Sequence, residues 1–275
     1  MKTSFDFTDN HVVVFGGTTG INLAIAHAFA QAGARVAVAS RKQANIDAAV
    51  DSLSAHGGEV MGLMADVRDF DAVGRAFEAA HERFGAIDVL VSGAAGNFLS
   101  EANGLSSNGF KVVVDIDLNG TFHVMRQSFA YLNKPGASVI NITAPQSQLP
   151  MRYQAHVCAA KAGIDQLTRV LAIEWGGAGV RVNAISPGPI AGTEGVKRLA
   201  PPGEAGDRIA RDHIPLGRMG TPDEIARLAM FLGSDAASYI SGAIVPCDGG
   251  GALDSVRPFI EAAGRMIAGG STQAG

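Results

Sequence analysis

Short apolar runs alternate with longer amphipathic segments along almost the whole of this 275-residue chain. The apolar runs are nearly continuous, which is typical of strands in a parallel sheet whose two faces are both covered by helices. The predicted strands span residues 12–15, 35–39, 59–64, 87–91, 137–142, 180–185 and 243–245. This alternation predicts an α/β fold, a single doubly wound domain of the Rossmann type with a parallel sheet of about seven strands.

Predicted helices follow most of the strands, and their ends carry residues that commonly begin or stop a helix. They span residues 21–32, 43–56, 69–84, 106–132, 154–175 and 221–232. Gly33 directly follows the first helix, as glycine often does where a helix stops. Thr221, with Glu224 three positions later, has the capping-box pattern of a helix start. Because no linker or repeat divides the chain, we expect one domain over residues 1–275, with a substrate lid at 192–212 and a frayed tail at 268–275.

Composition and charge exclude several classes of protein. Hydrophobic residues make up 47% of the chain and charged residues 17%, which suits a packed core and not a disordered chain. A net charge of −4 argues against a general nucleic-acid binder. The apolar runs are far shorter than the roughly 18 residues that span a bilayer, so no membrane association is expected. The chain has two cysteines, and no cluster of Cys and His has the spacing of zinc ligands, so no metal site is predicted.

The two ends of the chain bear on location. The first residues lack the apolar core of a signal peptide. Residues 272–275 do not form a peroxisomal signal of the Ser-Lys-Leu type. We therefore expect a cytoplasmic protein.

A glycine-rich turn joins the first predicted strand to the first helix. Gly16 directly follows the strand and Gly20 opens the helix, in the pattern Gly-x-x-x-Gly-x-Asn. Free N–H groups and the dipole at a helix N-terminus favour anions, so this turn predicts a site for a cofactor pyrophosphate. The alternative is a helix-starting turn without a ligand. The predicted cofactor-binding residues here are Gly16, Thr18, Thr19, Gly20, Ile21 and Asn22.

The end of the second strand predicts which nicotinamide cofactor binds. An enzyme that prefers NAD usually has an acidic residue at this point to bind the ribose. This chain has Ser40 and Arg41 instead. A guanidinium can bind a 2′-phosphate in a bidentate manner, so we expect NADP(H). The alternative is an ordinary solvated start of a helix.

Motifs further along the chain resemble those of the short-chain dehydrogenase/reductase family, over about residues 8–250. Asp66 and Val67 follow the third strand, where the resemblance implies adenine binding. The family's Asn-Asn-Ala-Gly stretch corresponds here to a segment that contains Ala94 and Ala95. A loop after the sixth strand resembles the one that binds the nicotinamide end of the cofactor. The cofactor contacts implied in that loop belong to Pro187, Gly188, Ile190 and Thr193.

The catalytic residues of that family are largely replaced in this chain. The family uses Asn, Ser, Tyr and Lys, with the Tyr four positions before the Lys. Lys161 is present, but Val157 stands at the position of the Tyr, Ala144 at that of the Ser and Asp117 at that of the Asn. A hydrocarbon side chain cannot exchange a proton, so carbonyl reduction with Tyr as the acid is not expected.

One branch of the family, the 2,4-dienoyl-CoA reductases and especially their peroxisomal type, resembles this chain in the same departure. Segments 94–99, 115–117, 120–122, 141–144 and 187–195 resemble that branch. The resemblance implies that NADPH reduces a conjugated carbon–carbon bond of an acyl thioester. Asp117 would hold the water that donates a proton, and Lys161 would bind the nicotinamide ribose. The predicted substrate residues are Asn97, Phe98, Gln146 and Tyr153.

Two other functions stay open at this point. One is an ordinary alcohol or ketone dehydrogenase in which Tyr153 or His156 replaces the missing Tyr, and the other is an inactive NADP-binding subunit. His156 is adjacent to Val157 and points to another face of the helix from Lys161, so we prefer a packing role for it. Small apolar residues in the predicted helix 154–175 favour close helix packing, and the resemblance implies a homo-oligomer, either a dimer or a tetramer.

Overall fold

Seven parallel strands form one sheet in the computed structural model, which describes residues 4–199 and 203–253. Their order in the sheet is β3-β2-β1-β4-β5-β6-β7, so the chain crosses from one side of β1 to the other after β3. Ligands of open α/β sheets bind beyond the carboxyl ends of the strands at such a crossing. The strands are β1 His11–Phe15, β2 Arg35–Ser40, β3 Val60–Met64, β4 Val89–Ser92, β5 Ser138–Ile142, β6 Arg181–Pro187 and β7 Ile244–Cys247.

Helices cover both faces of the sheet. Alternate residues of β1 point to opposite faces, so that Phe15 packs with Phe77 in one apolar cluster and Val14 packs with Phe29 in another. The predicted doubly wound fold is therefore confirmed. The helices are α1 Gly20–Gln31, α2 Gln43–Ser54, α3 Phe70–Phe84, α4 Ser107–Val114, α5 Gly120–Ser128, α6 Ala155–Gly176, α7 Glu194–Leu199, α8 Glu204–His213 and α9 Pro222–Gly233.

The stretch predicted to be mostly helical over residues 106–132 is helical over 107–128, and it is divided. A π-helical turn, Asp115–Asn119, separates α4 from α5, and α5 ends at Ser128. The helix ends early because Ile87 N donates to Tyr131 O at 2.9 Å and Asn133 N donates to Ile87 O at 2.8 Å. These bonds require an extended backbone at this point. π-Helical turns inserted in helices are frequent at functional sites, and this one contains Asp117.

The predicted lid, residues 192–212, contains α7 and all but the last residue of α8 within the described residues. Neither helix was predicted. The predicted tail, residues 268–275, lies outside the described residues. Among residues 4–199 and 203–253, no helix combines the length and apolar character needed to cross a membrane.

The start of α9 confirms the predicted capping box. Thr221 Oγ1 accepts a hydrogen bond from Glu224 N at 3.3 Å, and Glu224 Oε2 accepts one from Thr221 N at 2.8 Å. Arg218 donates to both carboxylate oxygens of Glu224, at 2.9 and 2.6 Å. The Arg218 bonds, followed by the Thr221 N–H, lower the pKa of Glu224 to about 2.

This carboxylate makes stability depend on pH in an acidic window. Since the folded-state pKa is below the ordinary value of 4.5, the stabilisation is present above pH 4.5 and is lost as the pH falls towards 2. We expect Glu224→Gln to make the melting temperature less dependent on pH in that window, as measured by thermal unfolding at a series of pH values. Glu59→Gln, which removes an exposed ion pair with Arg83, is the control. An unchanged pH dependence in Glu224→Gln would contradict the assignment.

Candidate active site

The turn between β1 and α1 has no room for a side chain at Gly16. Gly16 has φ +73°, and a Cβ on it would lie 2.9 Å from Ala94 N, so a larger residue would push apart the turn and the loop after β4. Thr19 precedes α1 with an extended backbone and makes no side-chain capping hydrogen bond. The N–H groups of the first turn of α1 therefore have no side-chain cap and are placed to bind an anion.

A cavity of about 370 Å³ opens beyond the carboxyl ends of β1 to β4. The cavity lies where the chain crosses from one side of β1 to the other, and the backbone of the glycine turn forms part of its wall. Both features fit a dinucleotide. Ten of the residues predicted to bind the cofactor line it: Gly16, Thr18, Thr19, Asn22, Ser40, Arg41, Asp66, Val67, Ala94 and Ala95. Lys42 and Asn45 also line it, beside Arg41, and were not predicted.

Asn22, the last residue of the glycine-rich pattern, has a structural role. Its Nδ2 donates to Gly93 O at 2.8 Å, which joins α1 to the loop after β4. A Cβ on Gly93 would lie 2.4 Å from the Asn22 amide. Asn22 therefore positions the backbone of the cavity wall.

Asp66 has a partner that the sequence analysis missed. Arg68 donates to Asp66 Oδ1 through its Nε at 2.9 Å and its backbone N at 3.0 Å. The side-chain bond from Arg68 is the main cause that lowers the pKa of Asp66 from its ordinary value. Asp66 is therefore an ionised carboxylate with a fixed orientation in the wall of the cavity.

Lys161 and Asp117 form a buried ion pair. Lys161 Nζ lies 3.2 Å from Asp117 Oδ2, and the two side chains are 6% and 0% exposed. Asp117 Oδ1 accepts a hydrogen bond from Gly96 N at 2.7 Å, and Lys161 Nζ donates to Ile142 O at 3.3 Å. The π-helical turn of α4–α5 thus places the carboxylate against α6, where a buried ammonium requires a counter-charge.

Neither alternative acid occupies the place of the missing Tyr. Val157 fills that position on α6 and is buried. His156 is fully buried with its ring 4.4 Å from that of Phe98, and burial is the main cause that lowers its pKa from the ordinary value. The imidazole is therefore uncharged at pH 7, and its contact is that of a packing residue. Tyr153 precedes α6 and is half exposed.

The structure brings the predicted substrate residues together at the start of α6. Gln146 Nε2 donates to Gln154 Oε1 at 2.8 Å, and Gln154 Nε2 donates to Asn97 Oδ1 at 3.4 Å. Ser100 N donates to Tyr153 O at 3.0 Å. Gln154 joins Gln146 to Asn97. It was not predicted, because Asn97 is distant from it in sequence.

The residues predicted to bind the nicotinamide end of the cofactor do not line the cavity. A Cβ on Gly188 would lie 2.6 Å from Asp248 Cα, and Thr193 Oγ1 donates to Ile190 O at 2.7 Å. These contacts shape the loop after β6. The predicted cofactor residues that do not line the cavity are Gly20, Ile21, Lys161, Pro187, Gly188, Ile190 and Thr193. Their contacts with a cofactor stay a prediction.

Known proteins share this fold and sequence pattern. A family model described as enoyl-(acyl carrier protein) reductase matches residues 16–251. A short chain dehydrogenase from Bacillus anthracis has a TM-score of 0.81 and 37% identity, with 90% of this chain and 98% of that chain covered. The chain belongs to the short-chain dehydrogenase/reductase family. Members of this family are oxidoreductases that use nicotinamide cofactors, and the cavity beyond β1 to β4 fits such a cofactor.

Two relatives within the short-chain dehydrogenase/reductase family are named 2,4-dienoyl-CoA reductases, the first producing (3E)-enoyl-CoA and the second (2E)-enoyl-CoA. The peroxisomal 2,4-dienoyl-CoA reductase of Arabidopsis thaliana is 41% identical over 248 residues, which cover 86% of this chain and 83% of the relative. The probable 2,4-dienoyl-CoA reductase of Bacillus subtilis is 39% identical over 244 residues, which cover 87% of this chain and 95% of the relative.

Removing one member of the buried ion pair leaves the other charge without a partner. We expect Asp117→Asn or Lys161→Met alone to lower the free energy of unfolding by about 3 kcal/mol, because the remaining charge stays buried. The double variant is expected to recover most of that loss. Urea denaturation of the cofactor-free protein measures all three. Glu59→Gln, from the exposed pair with Arg83, is expected to cost less than about 1 kcal/mol. Additive losses in the double variant would show that the two charges are not coupled.

Proposed function

We propose that this protein is an NADP(H)-dependent 2,4-dienoyl-CoA reductase, or a close relative that reduces a conjugated carbon–carbon bond of an acyl thioester. The observation that carries the proposal is the buried Lys161–Asp117 pair, 3.2 Å apart, whose lysine is on the same helix as a valine at the position of the family's proton-donating Tyr. The names of the relatives from Arabidopsis thaliana and Bacillus subtilis support it.

The proposal assigns residues to each part of the cofactor. The glycine turn and the start of α1 bind the pyrophosphate, and Ser40 and Arg41 bind the 2′-phosphate of NADP(H). Lys161 binds the ribose next to the nicotinamide. The bound cofactor supplies a hydride, which adds to the far end of the conjugated system.

Hydride addition at a distant carbon explains why the Tyr can be absent. The electron pair moves towards the thioester, so the negative charge that needs stabilisation develops on the thioester oxygen. The ammonium of Lys161 provides positive charge near this position. No proton has to reach that oxygen, because the product is protonated at the carbon next to the carbonyl.

Asp117 is the group that can hold a proton donor for this carbon. Its Oδ1 is occupied by Gly96 N, whereas its Oδ2 is buried beside Lys161 and has no hydrogen bond within the described residues. A water that donates one hydrogen to Oδ2 can direct its other hydrogen at the dienolate carbon. The proton that the water loses is replaced from solvent, so the reaction consumes one hydride and one proton.

The proposed reaction is tested by NADPH consumption with 2,4-hexadienoyl-CoA. We expect turnover by the wild type, and a loss of about 100-fold or more in kcat/KM for Asp117→Asn and for Lys161→Ala, because the first removes the group that holds the proton donor and the second removes the positive charge near the thioester oxygen. Cooperative thermal unfolding of each variant is the control for folding. Undiminished turnover in both variants would refute the site assignment, and no turnover by the wild type would refute the function.

Cofactor preference is tested separately at the end of β2. A charge-assisted hydrogen bond contributes roughly 1.5–3 kcal/mol, so we expect Arg41→Ala to weaken NADPH binding by about 10- to 100-fold and to leave NADH binding unchanged. Arg41→Lys, which keeps the charge but not the bidentate geometry, should fall between. Tighter binding of NADH than of NADPH by the wild type would contradict the preference.

A further inference from the structure

Tyr153 has a backbone conformation that is rare for its residue type. Its φ is +68°, in the left-handed region, and Asp9 at φ +66° is the other non-glycine residue with positive φ in the part of the chain that the structure describes. A bulky aromatic residue in this region is strained and persists only where the surrounding structure imposes it. Such residues cluster at functional sites.

The contacts around Tyr153 show what imposes this conformation. Its carbonyl accepts a hydrogen bond from Ser100 N at 3.0 Å, and the next residue, Gln154, precedes α6 and donates to Asn97 Oδ1 at 3.4 Å. One turn later, the rings of His156 and Phe98 are 4.4 Å apart. Segments 97–100 and 153–156 are thus joined at three points, and the chain must turn sharply at Tyr153 to enter α6.

Four large apolar side chains in the joined segments or just before them are exposed, and segment 97–100 directly follows Gly96, whose N–H binds Asp117 of the ion pair. Phe98 is 37% exposed, Leu99 51%, Met151 41% and Tyr153 50%. We call these four side chains the apolar wall. A group of exposed apolar side chains beside a reactive site marks a surface that a ligand covers.

We propose that Tyr153 is a specificity-determining residue, held in a strained backbone conformation so that the apolar wall binds the hydrocarbon chain of the acyl thioester beyond its conjugated bonds. This inference rests on the proposed function. An acyl chain is the occupant that the position favours, because the wall borders the start of α6, which carries Lys161. The hydrocarbon must leave the polar surroundings of the ion pair along an apolar path.

Three substitutions at one position separate the ring, the hydroxyl and the strain. Tyr153→Phe removes only the hydroxyl, Tyr153→Ala removes the ring but keeps a Cβ in the left-handed region, and Tyr153→Gly removes both ring and strain. We expect Tyr153→Phe to keep the KM for every dienoyl-CoA. Both other variants should raise the KM for a ten-carbon dienoyl-CoA by about 10-fold, and that for a six-carbon one by less than about 2-fold.

Thermal unfolding measures the strain independently of activity. We expect Tyr153→Gly to melt about 2–4 °C above Tyr153→Ala, since only glycine adopts the left-handed conformation without cost. Asp9 provides the matched control, because it has the same conformation in a surface turn away from the site. Asp9→Gly should melt above Asp9→Ala by a similar margin and leave all KM values unchanged.

Each result decides the inference. Loss of turnover in Tyr153→Phe would overturn it, because the phenol would then be the proton donor. An unchanged KM for the ten-carbon substrate in Tyr153→Ala would overturn it too, and a changed molecular mass of that variant would identify a second copy of the chain as the occupant. Equal melting temperatures of the Ala and Gly variants would exclude strain.

The wall can also be tested if the wild type reduces no dienoyl-CoA, in which case the proposed function fails by itself. Calorimetry with decanoyl-CoA and hexanoyl-CoA then measures acyl binding directly. Weaker binding of decanoyl-CoA alone to Tyr153→Ala would support the wall. Equal affinity of wild type and variant for both compounds would overturn it.

Discussion

The buried pair of Lys161 and Asp117 is the interaction on which the arrangement of the site depends. An ammonium that is 6% exposed is compatible with folding only when a counter-charge compensates for its lost hydration. Asp117 provides that charge, and the π-helical turn between α4 and α5 places it there. The same carboxylate accepts a hydrogen bond from Gly96 N, so the pair also fixes the loop that forms one side of the cofactor cavity.

Close packing of the backbone, more than side-chain chemistry, positions the walls of the cofactor cavity. Gly16 allows the first turn to approach Ala94, and Asn22 holds the loop after β4 through Gly93 O. A methyl group at either glycine would collide with backbone or amide atoms. The constraint is steric, and it acts on the shape of the cavity irrespective of the substrate that is reduced beside it.

Most of the fold was predictable because strands and amphipathic helices have strong local signals. The apolar runs of β1 and β2 and the capping box of α9 needed no knowledge of distant contacts. The π-helical turn was not predictable, because it depends on long-range contacts such as that of Asp117 with Lys161. α8 was missed because it is rich in charge and buries little beyond Ala210. The amide chain through Gln154 joins segments far apart in sequence, which no local pattern indicates.

The residues that replace the family's Tyr and Asn, Val157 and Asp117, together change how a proton can reach the substrate. Replacing a proton-donating Tyr by Val157 removes a polar group from α6, and the valine is buried as a core residue would be. In the proposed function, proton exchange then passes through Asp117, the carboxylate paired with Lys161. Within the described residues, Oδ2 of that carboxylate accepts no hydrogen bond and lies beside Lys161 Nζ, and its Oδ1 fixes the orientation through Gly96 N. Such a site suits a reaction that needs a proton on carbon from a held water, and it is poorly suited to one that needs a proton delivered directly to a carbonyl oxygen.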